Sequence, residues 1–132
     1  MLRVHRVLIG AGSFYILNLF ADDLYKIWWW FDILTHAMGG ATIGILGIAL
    51  HQWAEQRYGI IKRPWWWSAI IILGFVALIA ILWEVYEYLL DIWVLMPQGL
   101  AKSQPSLRDT IGDLVMGLLG GCLAILTFRK RI

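Results

Sequence analysis

The stretch Trp65–Leu90, WWWSAIIILGFVALIAILWEVYEYLL, decides the fold. It contains no Lys or Arg, opens on three tryptophans and stays apolar or small as far as Glu84. That exceeds the roughly 20 residues an α-helix needs to cross a hydrocarbon core. A soluble helix of this length would show a polar face along its whole length. Here the only charges, Glu84 and Glu87, sit together near one end. The stretch reads as a transmembrane helix that carries two carboxylates within its apolar length.

Three further stretches extend this reading. Ile27–Leu50 is long enough to span, and Ile111–Phe128 is just long enough. Val7–Phe20 is short unless Leu2–Arg6 and Ala21–Leu24 extend it. Its competing reading is a signal peptide, with Arg3 and Arg6 as the charged region. No small-residue cleavage point is well formed near Ala21, and Asn18 interrupts the apolar run, so a retained helix is expected. Composition agrees: 61% of the chain is apolar, nine residues are Trp, and 15% are charged, against about a quarter in soluble domains. Cys122, the single cysteine, excludes an internal disulfide. A net charge of +2 argues against nucleic acid as a partner. The expected fold is an all-α membrane protein in one domain, residues 1–132. It forms a four-transmembrane-helix bundle, with helices over about 4–23, 27–50, 65–91 and 109–128.

Orientation follows from Lys and Arg. Arg3, Arg6, Arg57, Lys62, Arg63, Arg129, Lys130 and Arg131 fall on one side of a four-helix topology, and only Lys26, Lys102 and Arg108 on the other. Both termini are therefore expected in the cytoplasm, with the protein in the plasma (inner) membrane. The Trp runs 28–30 and 65–67 then lie at opposite interfaces, where indole rings prefer to sit. The expected connections are Ala21–Lys26 outside, His51–Pro64 inside and Ile92–Arg108 outside. The last holds Pro97, Gly99 and Pro105 and should be irregular. None is long enough for a soluble domain, so any function belongs to the bundle or its outer mouth.

Helical spacing sorts the polar residues. Ala77, Ala80, Glu84, Glu87 and Asp91 follow a 3-4-3-4 pattern and share one helix face. Asp32 and His36 are one turn apart, followed by Gly39, Gly40, Gly44 and Gly47; Asp109 and Asp113 are followed by Gly117, Gly120, Gly121 and Ala124. Three helices thus carry acids outside and small residues inside. The glycines let helices approach closely in lipid, which is expected to splay the outer halves into a polar cavity. The segments Asp32–Gly40 and Asp109–Gly117 also look alike, which admits a pseudo-twofold axis along the membrane normal.

Charges inside a membrane are expensive and mark functional sites by default. Six carboxylates and the His36 imidazole near one membrane face cannot all be ionised without compensation. Lys26, Lys102 and Arg108 are too few to supply it, which leaves shared protons or a bound divalent cation. The donor set Asp32, His36, Glu84, Glu87 and Asp113, with Asp109 as a weaker member, suits a metal. Carboxylates favour Mg, Ca or Mn and an imidazole favours Zn or Fe, so the identity stays open. Glu84 or Glu87 is the candidate general base. Asn18 and Asp91 are secondary candidates. The structural alternatives are specific. Asp91 can be a solvated helix end, and Asp109 follows Ser106 by three residues as in a capping box. His36 can be a core histidine hydrogen-bonded to Asp32. His5, His51, Asp22 and Asp23 are expected to stay outside the site.

Asp32-x3-His36-x2-Gly39, Trp83-Glu84-x2-Glu87 and Asp109-Thr110-x2-Asp113-Leu114 resemble the pattern of the YjdF-like family of bacterial inner-membrane proteins, over roughly residues 30–121. Helix order and polar placement are more loosely similar to VanZ-like proteins. The resemblance implies a shared polar site at Asp32, His36, Glu84, Glu87, Asp109 and Asp113, and no particular reaction. The chain is shorter than typical YjdF-like members, which implies that outer helices of that family are missing.

Three function classes remain. One is a metal-binding protein, extending to a metal-dependent hydrolase or transferase on a lipid-linked or envelope substrate. The second is a transporter component or proton relay, although the inner halves hold only Gly, Ala and aliphatic residues. The third is a non-catalytic subunit of a larger membrane complex. The lipid bilayer is the one certain partner, and a homo-oligomer or larger complex would thicken so thin a protein. The topology has a direct check in a Cys122→Ser background. A membrane-impermeant maleimide added to intact cells should label Lys102→Cys and leave Arg57→Cys unlabelled until the cells are lysed.

Overall fold

The computed structural model describes residues 4–19, 28, 30–59 and 64–132, without the side chains of residues 4, 14, 15, 17–19 and 131. The described residues are helical apart from short connections. They form α1 (Val4–Leu19), α2 (Phe31–Tyr58), α3 (Trp65–Leu90) and α4 (Leu107–Phe128). The helices α2, α3 and α4 are each long and apolar enough to cross a membrane. At 16 residues, α1 spans about 24 Å at 1.5 Å per residue, short of a hydrocarbon core of about 30 Å. The expectation that this helix runs to residue 23 concerns residues 20–23, which lie outside the described residues. The Ala21–Lys26 connection and Lys62, Arg63 and Arg3 of the charge count lie outside them too.

Helix α2 begins at Phe31, with Trp28 and Trp30 before it, and not at residue 27, and two helix ends also differ from the sequence reading. Helix α2 does not stop at Leu50 but continues through His51–Tyr58 to Gly59. The polar run Gln52–Arg57 contains no Pro or Gly, so nothing in the backbone ends the helix there. Gly59 then takes a left-handed conformation (φ 63°) and its N–H closes on the Glu55 carbonyl, which glycine does without steric cost. At the end of α3 the chain does not turn irregular at Ile92. Asp91–Leu95 forms a π-helical turn and Met96–Gln98 a 3-10 turn. Gly99, at φ 69°, ends the run. Pro97 has no N–H to give the Trp93 carbonyl, so the regular α-helical ladder is lost before Gly99 ends the run.

The most extensive pairing is between α2 and α4, with α3 against both and α1 against α2. Its cause is the absence of side chains. A Cβ on Gly40 would fall onto the Gly117 carbonyl, and one on Gly120 onto the Ala37 carbonyl. One turn along, a Cβ on Gly44 would meet the Ala124 Cβ at 3.0 Å and the Gly121 Cα at 3.3 Å. The matched residues ascend together, so α2 and α4 run parallel. Gly47 faces Ile72 and Phe75, while Gly121 faces Val76 and Gly117 faces Ala80, so α3 runs the other way. In lipid the driving force for such contacts is van der Waals packing, and backbone-to-backbone approach maximises it. Beyond the glycines, Ile48, Ile72 and Ile125 make the apolar core, with Ala69, Leu73, Phe128 and Ile132 around it.

The remaining apolar surface faces outward, as in a membrane protein. Trp65, Trp66 and Trp67 are exposed at one end of α3. At the start of α2, Trp28 and Trp30 are exposed and stacked, with ring centroids 5.4 Å apart. The glycine contacts give a contrast that unfolding in detergent can read. Gly40→Ala and Gly120→Ala should each cost about 1–3 kcal/mol, the range for overpacked sites. Gly74→Ala and Gly112→Ala, whose added methyl meets nothing within 4 Å, should stay within about 0.5 kcal/mol of the parent.

Candidate metal centre

One turn from the Gly40–Gly117 contact, towards the start of both helices, lie His36 and Asp113. Their proximity follows from that contact, because parallel helices touching at one level keep their neighbours one turn away in register. His36 Nε2 is 3.8 Å from Asp113 Oδ1 and 3.5 Å from Asp32 Oδ1, the latter one turn earlier on its own helix. The antiparallel α3 brings Glu84 and Glu87 to the same level. Ligand atoms of Asp32, His36 and Asp113 lie within 4.8 Å of one another, and so do those of His36, Glu84 and Glu87. His36 is the shared vertex. Four carboxylates from three helices therefore meet at one imidazole.

The cluster is enclosed on one side and open at Asp32, whose side chain is 34% exposed. Glu84 is 7% exposed and Asp113 6%. At these two positions the bundle is closed by side chains, where close packing of the glycine end was expected to splay it open. The groups around the imidazole are held unequally. Thr35 Oγ1 donates to the Asp32 carbonyl at 2.7 Å and steadies the first turn of α2. The Trp83 side chain hydrogen-bonds Glu87. Gln104 Nε2 donates to Glu84 Oε2 at 2.6 Å and to the Glu84 carbonyl at 3.0 Å. Asp113 accepts no hydrogen bond from a described residue; what it faces is His36. No described Lys or Arg forms an ion pair with any of these carboxylates. Buried carboxylates are costly unless a cation or hydrogen bonds compensate them, and among the described residues His36 is the one basic group that faces these four.

The other candidates have different places. Asp109 sits in the first turn of α4, where its N–H donates to Ser106 Oγ at 3.2 Å, the helix N-cap. It belongs to neither set of converging ligands. Asp91 is buried at 4% exposure, not solvated. Its Oδ1 accepts the Ser103 N–H at 2.7 Å and its Oδ2 the Gln104 N–H at 3.0 Å, so it ties the 99–106 connection to α3. Asn18 lies in α1, but its side chain is outside the described residues, as are Asp22 and Asp23. His5 is exposed on α1. His51 lies about 22 Å along α2 from His36 at 1.5 Å per residue and pairs with Glu55 at 3.4 Å. Gln104 had no signal in the sequence. Its neighbours Ser103 and Pro105 mark a loop and nothing more.

The chain matches the family described as predicted membrane protein (DUF2238) over residues 2–132, and it belongs to that family. No curated protein and no solved structure matches it. The assignment of Asp109 has its own check. Ser106→Ala should lower stability by about 1 kcal/mol through loss of the cap, measured by unfolding in detergent.

Proposed function

We propose that this member of the DUF2238 family binds a divalent cation at His36, within the membrane near the extracytoplasmic face. The observation that carries the reading is the shared vertex: one imidazole within ligand distance of two separate carboxylate pairs from three helices. The donor set fits a cation on its chemistry, since carboxylate oxygens with one nitrogen suit Mn²⁺, Fe²⁺ or Zn²⁺. The burial of Asp113, which faces His36 at 3.8 Å and no described Lys or Arg, supports it further. Four carboxylates carry twice the charge of one divalent ion, so protons or a second ion complete the balance. A cation held there would supply polarisation of a phosphoryl or carbonyl oxygen, or an activated water, to a substrate reaching the membrane surface.

A continuous ion pathway is a poorer account. Below His36 and Asp113 the three helices meet through Gly40, Gly117, Gly120 and Ala80, with backbone against backbone. Among the described residues, the next buried polar side chains, Gln52 and Ser68, lie far along α2 and at the opposite end of α3. The similarity to YjdF-like proteins rests on the same three motifs and adds no reaction.

Metal analysis of protein purified in mild detergent tests the reading. The wild type should retain, or take up from Mn²⁺ or Zn²⁺, one or two ions per chain. His36→Gln and Glu87→Gln should fold and lose that stoichiometry. A wild type that holds no metal and takes up neither ion would sink the proposal in favour of shared protons.

A further inference from the structure

We propose that Gln104 is a positioning residue of this centre, a clamp that fixes the Glu84 carboxylate and is itself set by Asp91. The inference rests on the metal reading for its purpose and on hydrogen bonding for its existence. A primary amide nitrogen has two hydrogens, and both of Gln104's go to one residue. One bond is to Glu84 Oε2 at 2.6 Å and the other to the Glu84 main-chain carbonyl at 3.0 Å. Joining a side chain to its own backbone through one donor restricts the χ angles between them. The remaining oxygen of Glu84 and its lone pairs are thereby aimed at a constant place relative to His36 and Glu87.

The choice of donor matters. A Lys or Arg at this position would orient Glu84 equally well but would neutralise it, and so compete with a cation for the charge. An amide orients without cancelling. Carboxylate ligands of metals are commonly held by outer hydrogen bonds of this kind.

Gln104 lies in a connection with no helix of its own, so something must hold it. Asp91 does so with both oxygens, taking the consecutive N–H groups of Ser103 and Gln104 at 2.7 and 3.0 Å. Asp91 stands two turns beyond Glu84 on the same stripe of the helical run, at the start of its π-helical turn. One acid of the stripe therefore faces the imidazole, and another anchors the segment that orients it. An Asn at position 91 would present an amide nitrogen where one of the two N–H donors now finds an oxygen.

Two measurements on the detergent-solubilised full chain test the clamp. In protein labelled with ¹⁵N-glutamine, which has four glutamines, the Gln104 side-chain amide is assigned by its loss in Gln104→Ala. Without added metal, that resonance should shift in Glu84→Ala and in Asp91→Asn. An unchanged resonance in both would overturn the clamp whatever the metal result. In Mn²⁺ titrations, Gln104→Ala and Asp91→Asn should each weaken binding about 10–100-fold without changing the number of sites. The double variant should lose no more than the larger single loss, because the two residues act in series. Wild-type affinity in both variants would overturn the positioning role while leaving the metal reading intact. A wild type that binds no Mn²⁺ alongside a shifting resonance would leave the clamp standing and remove the metal reading.

Discussion

Everything at the polar end of this bundle depends on a contact made by atoms that are not there. Gly40 against Gly117, and Gly120 against Ala37, leave no room for a Cβ between α2 and α4. The two helices therefore touch along their backbones and run parallel. This contact sets the level and separation of the next turn, which carries His36 and Asp113. Aliphatic side chains at the same positions would push the helices several ångströms apart, since interhelical distance follows the residues at the contact. The imidazole would then lose Asp113.

The second constraint is electrostatic. Lipid offers no water to solvate a carboxylate, so each buried acid must have its charge or its hydrogen bonds met from within. The structure meets them in three ways. Asp91 takes two backbone N–H groups of the 99–106 connection. Glu84 takes the Gln104 amide, and Asp109 stays at a helix start beside its cap. Asp32, Glu87 and Asp113 remain turned towards one imidazole. The acids that look equivalent in sequence thus divide into Asp91 and Asp109, which hold the structure, and those gathered around His36, of which Glu84 is also held by Gln104.

That division marks the limit of what the sequence could say. The spans over Trp65–Leu90 and, within Ile27–Leu50, the second helix were legible because an apolar run of that length has few other uses. The stripe of Glu84, Glu87 and Asp91, and the pairing of Asp32 with His36, were legible because helical spacing is fixed by the 3.6-residue turn. The continuation of α2 to Tyr58 was not, because a polar run after a span reads equally as loop or as helix emerging from lipid. The π-helical and 3-10 turns over Asp91–Gln98 were hidden for a related reason, as Pro97 and Gly99 announce a break without saying where it falls. Gln104 was invisible because its role comes from the path of a loop, and that path comes from Asp91. A capping box showed Asp109 as an alternative from the start; only geometry could separate it from Asp113.

The central claim is that a cation in this bundle is bound through His36. Pulsed electron paramagnetic resonance of the Mn²⁺-loaded protein tests it most directly, because a coordinated imidazole leaves a nitrogen modulation on the manganese echo. The account predicts that modulation in the wild type and its loss in His36→Gln. Bound manganese with no nitrogen modulation, or modulation that persists in His36→Gln, would contradict it.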